Sequence, residues 1–149
     1  MSDMGEIAAW IGGIVAVLSL LATSADVHMT RLNNQAQLWL ELRKMFGEHN
    51  HIHLKLRPGG EWATSGPRND AEWQMVESYM GLFEHCQVLM EKRLIDKDTF
   101  RKIYRYRLIN IVSNDIIREE KLVKRAEGWM IFLELCHSMD LQSLKTPEE

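Results

Sequence analysis

The sequence predicts an all-α protein, with an N-terminal transmembrane helix followed by a small antiparallel helical bundle. Three observations carry that expectation. Residues 7–25 read IAAWIGGIVAVLSLLATSA without one charge, and at the helical rise such a run spans about 28 Å, close to the hydrocarbon core of a bilayer. Beyond it, apolar residues return every three or four positions. Nowhere does alternation with period two persist. The organisation expected is a tail and transmembrane helix over 1–27, a helical domain over 28–145 with a long loop at about 47–69, and a tail over 146–149.

The flanks of the apolar run orient it. Asp3 and Glu6 precede it, whereas Arg31, Arg43 and Lys44 follow. Positive charge stays on the cytoplasmic side of a membrane helix, so the domain after the span is expected in the cytoplasm, at a bacterial inner membrane. Thr23-Ser24-Ala25 has the small residues of a signal-peptidase site, but the basic leader such peptides carry is absent. The run is apolar all round rather than along one stripe, which suits lipid better than the surface of a soluble core. Ala8, Gly12 and Ala16 recur four apart, a small-residue row that lets helix backbones approach closely in lipid and is the candidate oligomerisation face. Ser19 and Thr23 continue that row with groups able to hydrogen-bond a neighbour. Trp10 sits near the outer end, where an indole favours the interface.

Composition narrows the function classes. All 18 Lys and Arg fall at or after Arg31, while three of the 21 acids precede it. The region beyond the span is therefore neutral, without the basic excess of a general nucleic-acid binder. Two cysteines, Cys86 and Cys136, suit a reduced compartment and build no disulfide framework. Nine Met and five Trp predict an adaptable core.

No Pro or Gly separates the span from the stretch 28–46, where Leu32, Ala36, Trp39, Leu42 and Met45 or Phe46 keep helical spacing. One long stalk is expected, ended by Gly47. Pro58, Gly59, Gly60, Gly66 and Pro67 then mark an irregular connection. Asn69 with Glu72 three residues on forms a capping-box pattern. It opens a helix whose stripe is Trp73, Val76, Met80, Phe83, Cys86 or Gln87, and Met90. Asp96 is the expected N-cap of the next helix, with Phe100, Ile103, Tyr104, Leu108, Ile111 and Val112 inward. Ser113-Asn114-Asp115 should kink or restart the chain before a charged stretch, 116–125. A last helix over about 126–141 places Trp129, Phe132 or Leu133, Cys136 and Met139 inward.

Trp39-Leu40-Glu41-Leu42-Arg43, the Trp-led helix with Phe83-Glu84, Leu94-Ile95-Asp96 with Phe100, and Phe132-Leu133-Glu134-Leu135 occur in this order. In that order of parts the chain resembles an uncharacterised bacterial family of short, single-span proteins with a helical cytoplasmic domain. The resemblance covers most of the chain after Met29 and implies architecture. Arg43-Lys44-Met45-Phe46-Gly47-Glu48-His49 has the R-x5-H spacing of HEPN-type helical ribonucleases. It is also similar to the small HEPN-like membrane accessory proteins of RNA-targeting CRISPR effectors, which assemble as membrane pores. This second resemblance implies self-association, a protein partner in a defence system, or an Arg43/His49 pair that binds phosphate and moves protons. Lys44 departs from the polar or acidic residue usual after that arginine.

Three further patterns complete the sequence. His49, His51 and His53 alternate, and an extended strand would carry them on one side, as in an imidazole metal site. With no carboxylate or Cys beside them in sequence, the favoured reading is a polar loop. Glu84-His85-Cys86 and Cys136-His137 could meet between helices, but both cysteines occupy apolar stripes, as buried small hydrophobes do. Glu119 and Glu120 with Lys121, Lys124 and Arg125 read as a solvated helix face with i,i+4 pairs. No Gly-rich phosphate loop and no nucleophile with an adjacent base motif is present, so neither a cofactor nor an enzyme class is implied.

Overall fold

The computed structural model describes residues 3–141, and within them the side chains of Ser19, Thr23, Ser24 and residues 26–141. All regular structure among the described residues is helical. The chain forms two units, Met1–Leu38 and Trp39–Glu149.

The described part of the first unit lies within α1, which runs Asp3–Glu48. Thr23 Oγ1 donates to the Ser19 carbonyl one turn back at 2.9 Å, a bond within the helix where the sequence suggested one to a neighbour. Among the described residues no helix is long and apolar enough to cross a membrane. Of the charge-free run 7–25 only the backbone and the side chains of Ser19, Thr23 and Ser24 are described, so those of Ala8, Gly12 and Ala16 lie outside the described ones.

The second unit begins with the last turns of α1, where Leu42 and Phe46 are buried. Gly47 does not end this helix. It is helical itself, with open space where a side chain would stand, and the break comes at His49. The chain turns there for one residue and resumes as α2, Asn50–Leu56. The loop expected over 47–69 is thereby shortened to 57–69. Ile52, His53 and Leu56 are buried along one side of α2, and that burial holds helix where turn residues are still absent.

After Leu56 the chain folds back on α2. The amide of Gly60 donates to Arg57 O and that of Trp62 to Lys55 O, each at 2.8 Å. A Cβ on Gly60 would collide with the Leu54 and Lys55 carbonyls, so this return needs glycine. Trp62 is wholly buried beneath the Lys55 ammonium, which lies 4.4 Å from its ring centre. The Trp62 carbonyl accepts from the buried Asn114 side chain. Asn114 Oδ1 in turn accepts from Ile117 N at 2.9 Å and caps α5, Asp115–Ile117.

α3 spans Asp70–Glu91 and α4 spans Lys97–Val112, with Asn69 and Asp96 as their N-caps. Asn69 Oδ1 accepts from Glu72 N at 3.0 Å. The Glu72 carboxylate reaches the Arg68 amide at 2.7 Å, one residue outside the position a reciprocal capping box uses. Ile103 on α4, expected inward, is 46% exposed. The chain then passes through a π-helical turn, Arg118–Val123, and a 3-10 turn, Ala126–Trp129, to α6, Met130–Ser138.

Trp62, Met80 and Met139 are fully buried, and around them the core is built mainly of aromatic rings. Phe46, Tyr79, Phe83, Phe100 and Phe132 are fully buried and meet mostly edge to face, as the ring quadrupole favours. Phe46 stacks on Tyr104 with ring centres 3.9 Å apart. Of the methionines, Met80 and Met139 are buried, whereas Met75 and Met130 are exposed. Truncating one of these core rings to Ala costs about 3–5 kcal/mol in comparable cores.

Candidate functional site

The polar groups of this unit converge where α1 ends. The last carbonyls of any helix lack partners within it, and here side chains from elsewhere supply them. His49 Nδ1 donates to Met45 O at 2.8 Å. With that nitrogen protonated, Nε2 of the neutral ring is an acceptor, and the Ser78 hydroxyl on α3 donates to it at 3.1 Å. The His49 ring also lies nearly parallel to that of Tyr79, 5.8 Å between centres.

Arg107, from α4, closes the same helix end. Its Nη1 donates to Phe46 O at 3.2 Å, its Nη2 to Asn50 Oδ1 at 3.4 Å, and its Nε to the Tyr106 hydroxyl at 3.0 Å. A cation at a helix C-terminus also complements the helix dipole. Beneath it the Tyr79 hydroxyl is buried facing the Arg107 guanidinium, and burial drives its ionisation well above the usual tyrosine range although Arg107 opposes that shift. His53 is 8% exposed, and its Nδ1 is buried without a partner. Its ring meets that of Tyr106 edge-on at 5.3 Å. Burial first, then the Arg107 and Arg57 charges, hold the His53 pKa below the ordinary histidine value.

The residues singled out in the sequence are placed as follows. Arg43 and His49 lie six positions apart, about 120° around a helix. Arg43 is exposed, and His49 is engaged by Met45 and Ser78. The arginine that shares this helix end with His49 is Arg107, far along the chain, with no sequence signal beyond a cation amid α4. His49, His51 and His53 do not share one face, because their segment is helical rather than extended. His51 is exposed and reaches Glu48 O at 3.0 Å. Among the described residues no three His, Cys, Asp or Glu side chains gather as a metal site. Cys86 and Cys136 are buried thiols pushed up to about 12 by burial. Glu84, half-buried, receives the Phe132 amide in the first turn of α6 at 3.3 Å and so acts as a cap.

One reading of the charged stretch 116–125 needs correction. Glu120 and Lys124 do form an exposed i,i+4 pair, but Lys121 is buried. It pairs with Glu77 of α3 and lies 4.7 Å from the centre of the Trp73 ring. The π-helical turn adds a residue to the local repeat and moves Lys121 off the solvated face. A cleft of about 390 Å³ opens beside it, between Asp70, Gln74 and Arg125.

No family model, curated protein or solved structure matches this chain. Nothing in these comparisons points to an enzyme.

Proposed function

We propose that this protein is a membrane-anchored, self-associating helical module that acts through assembly or partner binding rather than catalysis. One observation carries the proposal. The charge-free run 7–25 belongs to a single helix, Asp3–Glu48, which also supplies the core residues Leu42 and Phe46. An anchor of bilayer length and a helical unit thus share one continuous backbone segment. The resemblance to HEPN-like membrane accessory proteins supports an oligomeric effector in bacterial antiviral defence, with a protein partner from that system. The alternative, a ribonuclease using Arg43 and His49, gains nothing from helix geometry that sets the two on different faces.

The topology of the anchor tests the proposal. Basic residues follow the span and acids precede it, so a phosphatase–β-galactosidase dual reporter fused after Glu149 is expected to be active on the cytoplasmic side, in the membrane fraction. Periplasmic activity, or a fusion recovered wholly in the soluble fraction, would overturn it. Double substitution of Arg43 and His49 by Ala is expected to leave the cellular effect intact. Loss of RNA cleavage with folding and oligomer size unchanged would establish the ribonuclease instead.

A further inference from the structure

The cleft beside Lys121 is walled by groups whose bonding capacity is not used up. It holds about 390 Å³ between the start of α3 and the π-helical turn, within the range of about 300–1,000 Å³ usual for small-ligand sites. Its most deeply set wall is Lys121, whose side chain is 5% exposed. An ammonium has three N–H donors, and among the described residues only Glu77 Oε1 accepts from this one. The same ammonium lies 4.7 Å from the centre of the Trp73 ring, a second wall of the cleft. Lys121 belongs to a π-helical turn, a form found frequently at functional sites.

The charges lining the cleft divide into satisfied and unsatisfied ones. Glu77 is held by Lys121, and Glu120 by Lys124. That leaves Asp70, from α3, and Arg125, just past the π-helical turn. Both are exposed, and neither side chain has an ion pair or hydrogen bond among the described residues. One free charge of each sign in one cleft complements a ligand that also carries both. A bare anion would meet Asp70 and a bare cation Arg125, like-charge contacts that disfavour binding.

A second cavity, of about 570 Å³, shares Glu77, Lys121 and Arg125 with the first. Exposed Lys124 and Glu127 line it too, but Val123, Ala126 and Trp129 give it an apolar wall. Val123 is 53% exposed. Trp129 is half-buried, its ring edge-on to that of Phe132 at 6.4 Å.

We infer that these joined cavities bind an α-amino acid with a large apolar side chain. Arg125 takes the carboxylate through paired N–H bonds, the fit its planar fork favours, and the unspent donors of Lys121 add to it. Asp70 takes the ammonium. The side chain runs past Val123 against Trp129, where aromatic contact adds to burial.

Calorimetry on the full chain in detergent tests this with L-phenylalanine, phenylalaninamide, 3-phenylpropanoate and glycine. Phenylalanine is expected to bind saturably. The amide lacks the carboxylate, phenylpropanoate lacks the ammonium and glycine lacks the side chain, so each should bind at least about tenfold more weakly. Arg125→Ala and Asp70→Asn change exposed side chains and leave Asn69 as the cap of α3, so both should fold as the parent. Arg125→Ala should lower phenylalanine to the level of the amide, and Asp70→Asn to that of phenylpropanoate. Lys97→Ala, at the start of α4 and on neither cavity, should leave binding unchanged. The inference falls if phenylalanine does not bind saturably, or if any of the three analogues matches it. It falls equally if Arg125→Ala or Asp70→Asn folds and binds phenylalanine as the parent does.

Discussion

His53 shows how one buried side chain makes folding depend on pH. Its folded pKa lies below the ordinary value of about 6.5, first through burial and then through Arg107 and Arg57. The unfolded chain therefore takes up a proton at a pH where the native state still resists it. Stability is full above about pH 6.5 and declines as pH falls through that value toward the folded pKa. Urea midpoints measured between pH 7.5 and 5 should fall for the parent, and fall less for His53→Gln, which removes the titration. Equal slopes for the two proteins would show that His53 does not carry the acid sensitivity. The histidine triplet was visible in the sequence, but its meaning was not. Which of the three rings is buried depends on α2 and α4 meeting, and spacing alone carries no record of that.

At the scale of elements, two glycines make opposite demands. Gly60 lies where the chain returns across the end of α2, and an added methyl would strike the Leu54 and Lys55 carbonyls. Backbone atoms there cannot give way without losing the 2.8 Å bonds of Gly60 and Trp62. Gly60→Ala is expected to cost about 1–3 kcal/mol, as overpacking does. Gly47 stands in the last turn of α1 with open space around it, and Gly47→Ala should stabilise by up to about 1 kcal/mol. Thermal or urea unfolding of the pair checks both signs, and the same sign for both would contradict the account. Caps were the most legible elements, since Asn69 and Asp96 act through bonds spanning three residues. The π-helical turn was illegible. Within it Lys121 meets Glu77 and Trp73 on α3, more than forty residues earlier, and no local spacing records that meeting.

For the whole molecule, the proposed assembly rests on the Ala8–Gly12–Ala16 row. Helices in lipid gain nothing from hydrophobic burial against each other, so close backbone packing must supply the attraction. Gly12→Leu is expected to shift the protein to a smaller oligomer in detergent, with membrane insertion unchanged because Leu is favourable in the bilayer. Val17→Leu, on another face, should be silent. Sedimentation or crosslinking reads the result. An unchanged oligomer would place assembly in the unit Trp39–Glu149, and a monomeric parent would remove the pore reading.

What the sequence by itself determined was whatever depends on neighbours along the chain. This covers the helical class, the caps at Asn69 and Asp96, the turn at Pro58–Gly60, and the charge-free run that motivates the anchor. Those follow from bonds and periodicities spanning three or four residues. Tertiary structure alone decided that Tyr79 and Trp62, on no stripe read from the sequence, are fully buried while Ile103 is not. It also placed Arg107 rather than Arg43 at the helix end with His49, and it buried Lys121 in what reads as a solvated face. The Arg107 and Lys121 pairings join residues more than forty positions apart, and a free carbonyl or an open aromatic face selects its partner only once the helices pack.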